Sequence, residues 1–454
     1  MGALVKARRR SLSAQLVSLA LLAACLLPAR SATATEKRTV PDYDGRGGEP
    51  AKPGDQLLWV PRVVLFPAYV VSEYVIRRPL GALISGAERA HLPDALYNFF
   101  MLSKEHKIGW VPTFFVDFGF KPSVGVYVFW DDAFARGHDL HLQAATWGED
   151  WLAGSLTDRV HLSRNETFTL RLSGIRRPDY RFYGVGSTSL ESNLSRYAAD
   201  RLEASGAFAI QLSGLSQIDT AMGVRRLRFR DPEDYRRQAI SQRAAEGLFP
   251  LPDGFAQGYT AGFSRMNLRL DSRRARPESQ TGARLDIEVE QGSAPRSGSP
   301  SGWLRYGAIA GGFLDLNDRA RVLSLSVAAS FSDPLTSAPV PFTELVQLGG
   351  SEPMPGFLPG RLFGRSAFVT TLGYHWPIWV WLDGTLQAAV GNVYDAHLSD
   401  LSTSRLRFSG ALGFETAGVS DNPVQVLVGF GTETFEQGAH INTLRLVFGT
   451  NRGF

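Results

Sequence analysis

Cysteine is almost missing from these 454 residues; Cys25 is the only one. It lies in an apolar stretch, residues 16–27, preceded by Lys6, Arg8, Arg9 and Arg10 and followed by Ala32-Thr33-Ala34. A basic n-region, an apolar h-region and small residues in the Ala-x-Ala pattern mark residues 1–35 as a signal peptide. Cleavage after Ala34 leaves a mature chain without cysteine, which excludes disulfides and thiolate-ligated metals. The setting Leu21-Leu22-Ala23-Ala24-Cys25 also fits lipoprotein-type processing with Cys25 as the lipidation site, although Leu26-Leu27-Pro28 prolongs the apolar run. Long hydrophobic runs are missing too. The h-region is too short to span a bilayer and no later run reaches 18 residues, so no transmembrane helix is expected. The exported chain is then periplasmic, secreted or a membrane β-barrel.

An excess of one charge sign is equally lacking. Net charge is +4, and the four basic residues of the n-region alone supply that much. No compact basic patch with interleaved aromatics occurs, so nucleic acid is not an expected partner. Catalytic signatures are also missing: there is no Gly-x-Ser-x-Gly elbow and no His-Glu-x-x-His pair. The eight histidines are scattered, and His138 and His141, three apart on a candidate strand, face opposite sides. Gly184-x-Gly186 lacks the third glycine and strand–helix context of a nucleotide loop, so it reads as a turn. No metal, cofactor or enzymatic activity is expected. A Ser/His site on a barrel wall, recognisable only by geometry, stands as a third functional reading.

What is present is alternation. Leu406, Phe408, Gly410, Leu412 and Phe414 oppose Arg405, Arg407, Ser409 and Glu415; Leu323, Leu325 and Val327 oppose Ser324 and Ser326. Period-two patterning gives each segment one apolar and one polar face. Sixteen candidate strands lie near 111–120, 123–131, 138–147, 154–163, 166–175, 196–211, 215–228 and 258–271. The remainder lie near 283–290, 302–312, 321–331, 365–375, 378–390, 405–416, 423–431 and 442–449. Their longest connections follow strands five, seven, eleven and thirteen, all odd-to-even; residues 272–282 are the clearest exception among the short even-to-odd turns. A soluble sandwich gives no reason for loop length to sort by parity. A transmembrane barrel does, with long loops outside, short turns in the periplasm and an even number of strands. About ten residues per strand also suits a tilted crossing, and closure pairs every backbone group in lipid. The fold class is therefore all-β, an antiparallel transmembrane barrel of about sixteen strands spanning 108–454. Aromatics at 11% and 46 glycines suit girdles and tight turns.

Before the barrel, residues 36–56 read as a polar linker. Residues 57–107 read as short helices, packed on their own protein or lying at the membrane interface or barrel mouth. Inward positions carry Arg171, Asp286, Glu288, Arg405, Arg407 and Arg445: a lumen satisfied by salt bridges and water, or a charge-selective pore. Residues 229–257 read as a solvated outer loop.

From residue 111 onward the sequence resembles the bacterial surface antigen family of outer-membrane barrels (BamA/TamA-like). The likeness is carried by Gly349-Gly350, Gly356-Phe357, Tyr374-His375-Trp376-Pro377, Gly391-Asn392-Val393-Tyr394 and Phe182-Tyr183-Gly184-Val185-Gly186. The resemblance implies sixteen strands, a cell outer membrane location, and a loop at about 332–364 that folds into the lumen. It further implies a role in outer-membrane assembly or in translocation of protein or lipid. The implied partners are outer-membrane lipid and a substrate protein or lipid, around a monomeric barrel. A passive pore or structural barrel is the alternative. Two departures stand out. The family's loop arginine is replaced by Pro355, and its barrel-wall aspartate position is Ala389, before Gly391. The loop is then expected to be held by Phe357 and other contacts, Arg361 among the candidates. The family's periplasmic POTRA repeats also find no counterpart in residues 36–107.

Overall fold

The computed structural model describes Tyr74 and residues 99–450, except 275–279, 296–299, 317–319, 351–352, 380–381 and 417–423. The signal peptide, the linker and most of the helices expected at 57–107 lie outside the described residues. Eighteen strands are described: β1 (Ile108–Asp117), β2 (Ser123–Trp130), β3 (His138–Thr146), β4 (Leu152–His161), β5 (Glu166–Phe182) and β6 (Ser195–Ser213). They continue with β7 (Ser216–Arg230), β8 (Tyr259–Asp271), β9 (Gly282–Ala294), β10 (Ser301–Asp315), β11 (Val322–Pro334), β12 (Val346–Leu348) and β13 (Leu362–Gly364). The last five are β14 (Ser366–Trp379), β15 (Leu382–Tyr394), β16 (Arg407–Thr416), β17 (Val424–Thr432) and β18 (Ile441–Thr450). All but β12 and β13 close into one antiparallel barrel in which each strand pairs with its neighbours in sequence and β1 meets β18.

The alternation decides which side is which. Leu172, Met222, Val224, Leu325, Leu412 and Leu444 are exposed on the outer wall, Met222 at 71% and Leu444 at 76%. Arg225, Glu290, Gln387, Ser409 and Arg445, on the opposite parity, are buried. A soluble barrel would reverse this arrangement, because exposing large side chains to water loses roughly 1.5–3 kcal/mol each. In hydrocarbon that cost disappears, and the strand ladders satisfy the backbone. Among the described residues no helix is long and apolar enough to cross a membrane; strands make the crossing.

The long connections, 183–194, 231–258, 335–365 and 395–406, gather at one end, which is the outer face. The connection expected as a solvated loop is partly interior. Ile240, Phe249 and Phe255 are buried and join Phe182, Tyr197, Trp303, Phe342 and Phe363 in an apolar cluster that caps the barrel. Charged residues crowd the start of that segment, from Asp231 to Arg237, and the large apolar side chains that follow seat it. Arg405, expected on an inward strand face, lies in a turn before β16 and bonds Asp400 at 2.6 Å. Strands β5, β6 and β7 run to 17, 19 and 15 residues, well beyond a crossing of roughly 9–11, and so lift the outer loops above the bilayer.

Candidate functional site: the lumen loop and the closing seam

The connection between β11 and β14 turns back into the lumen. Its short β12–β13 ladder pairs Val346 with Gly364 and Leu348 with Leu362. Between these strands, Gly349 and Gly350 take φ of +105° and +85°, left-handed values open to glycine at little cost. The Gly350 N–H donates to the Phe357 carbonyl at 2.8 Å, closing the loop on itself.

The tip rests on the barrel wall. A Cβ on Gly356 would lie 2.1 Å from the Phe430 carbonyl oxygen, so only glycine permits this approach. The Gly356 N–H donates to Ser409 Oγ at 3.0 Å. Phe357 is fully buried and packs with Met354, Leu362, Val369, Val393 and Ala389. The wall position that lacks a carboxylate thus offers the loop an apolar surface. Gly391 serves the wall itself, since a Cβ there would strike the Phe368 carbonyl oxygen at 2.3 Å.

Two arginines flank the loop. Arg361, at its outer end, is fully buried. It donates through Nε to Glu191 at 3.0 Å and through its other nitrogens to Ser189 Oγ at 2.9 Å and the Ser189 carbonyl at 3.0 Å. Its guanidinium lies over the Tyr183 ring, 4.9 Å from the centroid. Burial raises the Glu191 pKa above its ordinary value, opposed by Arg361 and Arg181. Arg407 of β16 donates to Glu433 at 2.9 Å and to the Ser189 carbonyl at 2.8 Å. The 183–194 loop is therefore tied to the lumen loop and to the wall.

The second arginine is Arg445 of β18, and sequence reasoning missed its role. It donates to the Pro355 carbonyl at 2.8 Å and grips Asp117 of β1, Nε to Oδ1 at 3.2 Å and Nη2 to Oδ2 at 2.9 Å. Where the loop tip carries Pro355 in place of an arginine, a wall arginine reaches the loop backbone. Arg445 was legible as inward-facing. Asp117 shares the inward parity of Thr113 and Phe115, and closure of first strand on last brings the two together. At the opposite wall, Glu344 of the same loop accepts from Arg225 at 3.0 Å and from the Tyr259 hydroxyl at 2.6 Å.

The Arg445–Asp117 pair crosses the junction that, among the described residues, has the fewest registered pairs. Among the described residues β1 and β18 share three registered pairs, 115–449, 116–448 and 117–447. Every other junction has at least seven, the number at β16–β17 and β2–β3. Above the seam, residues 441–446 of β18 have no registered partner on β1, apart from the Phe118 N–H donating to the Leu446 carbonyl at 3.0 Å.

A closed sixteen-strand wall, a loop folded into its lumen and a three-pair seam coincide with a sequence match: the Omp85 superfamily domain covers residues 153–420, more than half of the chain. The chain belongs to the Omp85 superfamily. This Omp85 barrel is similar in fold to BamA from Haemophilus ducreyi lacking POTRA domains 1–3, with TM-score 0.50 and 13% identity, covering 75% of this chain and 70% of that one. It also matches CdiB from Acinetobacter baumannii, with TM-score 0.47 and 12% identity over 76% of this chain and 59% of that one. No curated protein sequence matches it significantly. At such identities the likeness is one of fold. As an Omp85 barrel with an apolar outer wall, the protein resides in the Gram-negative outer membrane. Among the described residues no group of three or more His, Cys, Asp or Glu side chains is placed to hold a metal.

Proposed function

We propose that this outer-membrane barrel inserts or translocates a protein or lipid cargo, and that the β1–β18 seam is where its wall parts. The observation that carries the proposal is that the seam has three registered pairs among the described residues, beside a lumen into which the barrel's own loop folds. Unpaired strand edges are costly in hydrocarbon and readily recruit another strand, so a short seam with an open upper edge is suited to admitting a guest. Strands Arg445 and Asp117 hold together with one buried ion pair are also sensed by the loop tip, because Arg445 bonds the Pro355 carbonyl. Displacing the loop would weaken the seam, and the reverse. No step of this kind needs a catalytic group. The reading takes residues 1–35 as a removed signal, 36–107 as a short periplasmic or mouth segment, and the working unit as a monomer. It treats Gly349, Gly350, Gly356, Phe357 and Arg361, with Ala389 and Gly391 on the wall, as the loop-seating set.

A disulfide across the seam tests it. Val116 and Phe448 are registered partners, so Val116→Cys with Phe448→Cys can be joined by oxidation. Cells lacking the native protein should recover outer-membrane barrel proteins and the lipid permeability barrier with the reduced variant and lose both on oxidation. A locked seam that restores both as fully as the native chain would sink the proposal and favour a passive or structural barrel.

A further inference from the structure

We propose that the outer wall of β2–β7 carries a binding site for a phosphate-bearing lipid of the outer leaflet. The site has two adjoining parts. In the hydrocarbon band, an open groove of about 710 Å³ lies against these strands, within the size range of roughly 300–1,000 Å³ typical of ligand sites. Its floor is made of small residues in one hydrogen-bonded row across the sheet, Ala144, Gly154 and Gly174, and Leu202 leans over Gly174 from the next strand. The outward parity of Val124, Leu152 and Leu202, all exposed, makes its walls apolar.

Charge gathers at the groove's outer end. Arg176 and Arg226 are each the eleventh residue from the periplasmic end of their strands, and Arg228 the thirteenth. A crossing takes roughly 9–11 residues, so these guanidiniums stand at headgroup level, where a charge on the lipid face costs little. Asp200 accepts from Arg176 at 3.1 Å and from Arg230 at 2.8 Å. Among the described residues Arg226 and Arg228 have no carboxylate partner, and both are exposed. Four arginines against one aspartate leave a net positive patch along the outer rim of an apolar trough, Arg176 registered with Leu152 and Arg226 with Leu202. Planar guanidinium forks suit phosphate oxygens, and a trough beside them suits acyl chains. Neither half alone would specify a lipid; their adjacency at the groove's outer rim does. The site needs the outer-membrane location but no transport activity, so it stands or falls apart from the proposed function.

The test uses the full-length protein in nanodiscs of uncharged lipid, with bisphosphorylated lipid A as the probe. Saturable binding is expected, weaker by about tenfold in Arg226→Gln/Arg228→Gln. Gly154→Leu should weaken it similarly by filling the trough; a Cβ there meets nothing nearer than 3.7 Å, so the barrel accommodates it. Arg164→Gln, in a periplasmic turn, should bind like the native protein. Heat-modifiable gel migration confirms that each variant is folded. The proposal is overturned if the arginine variant or the groove variant binds as tightly as the native chain. It is equally overturned if fully dephosphorylated lipid A binds as well, or if inorganic phosphate alone displaces the lipid completely.

Discussion

Arg445 carries two loads with one guanidinium: it neutralises buried Asp117 and holds the Pro355 carbonyl. Both partners are less than about a twentieth exposed, so truncating one strands a charge that the interior cannot solvate. Arg445→Met is expected to destabilise the barrel by about 3–5 kcal/mol, and the double change with Asp117→Asn by clearly less. Thermal unfolding in detergent, read as a double-mutant cycle, checks this; additive losses would mean the two side chains act separately. Arg361 makes a different, pH-dependent prediction. Burial raises the Glu191 pKa and Arg361 opposes that rise. In Arg361→Ala the folded-state value climbs further, while the unfolded one stays near the ordinary ~4.3. A raised folded value means the native state prefers the proton, so stability is kept in acid and lost as pH rises through that window. The variant should therefore fall further below the native protein in melting temperature at pH 7 than at pH 4. A gap that is the same at both pH values would remove Glu191 from the account, and no gap at all would remove Arg361 from seating the loop.

Strands differ in how firmly the wall holds them. β5, β6 and β7 are joined by registers of 12 pairs or more before any irregularity, whereas β18 meets β1 through three among the described residues. Amide exchange should accordingly be faster in 441–450 than in 195–230, measured by mass spectrometry in detergent or nanodiscs; equal protection would mean the seam is as tight as the rest. The same contrast shows what sequence reasoning could reach. Alternation located all sixteen barrel strands, because a wall between lipid and lumen writes its two faces into parity. It ended β9 at Glu290, yet the ladder runs through Gln291-Gly292-Ser293 to Ala294, since Gly292 is there to admit the Trp303 ring, 2.2 Å from where a Cβ would sit. It stopped β5 before Pro178, where the register shifts between Arg177 and Tyr180 instead of ending. The β12–β13 ladder of three residues each was too short to show a period. The candidate loop residues could be found because glycine pairs mark backbone turns; their partners, Ser189 and Glu191 in the 183–194 loop and Ser409 on β16, come from two distant segments, which no local pattern joins.

At the scale of the whole barrel, closure is a matter of what fills each depth. The outer mouth is shut by the aromatic cluster built around Phe182, Tyr197, Phe342 and Phe363. Below it lies a polar vestibule of about 900 Å³. The lumen loop supplies Phe342, Phe363 and Arg361, so it contributes to the cap from inside and ties down the 183–194 loop through Arg361. Replacing residues 346–364 by a short Gly-Ser linker removes Phe363 and Arg361 together and leaves the sixteen wall strands unchanged. In planar bilayers the native protein should then show only rare openings and the shortened one large, steady conductance. The vestibule lining, with seven arginines facing five carboxylates, predicts that these openings favour anions mildly, since opposite charges interleave rather than form a ring of one sign. Steady large openings in the native protein would instead assign the barrel to passive permeation. A shortened barrel that stays shut would place the barrier in the 231–258 loop, whose Phe249 and Phe255 would then suffice to close the mouth without the lumen loop.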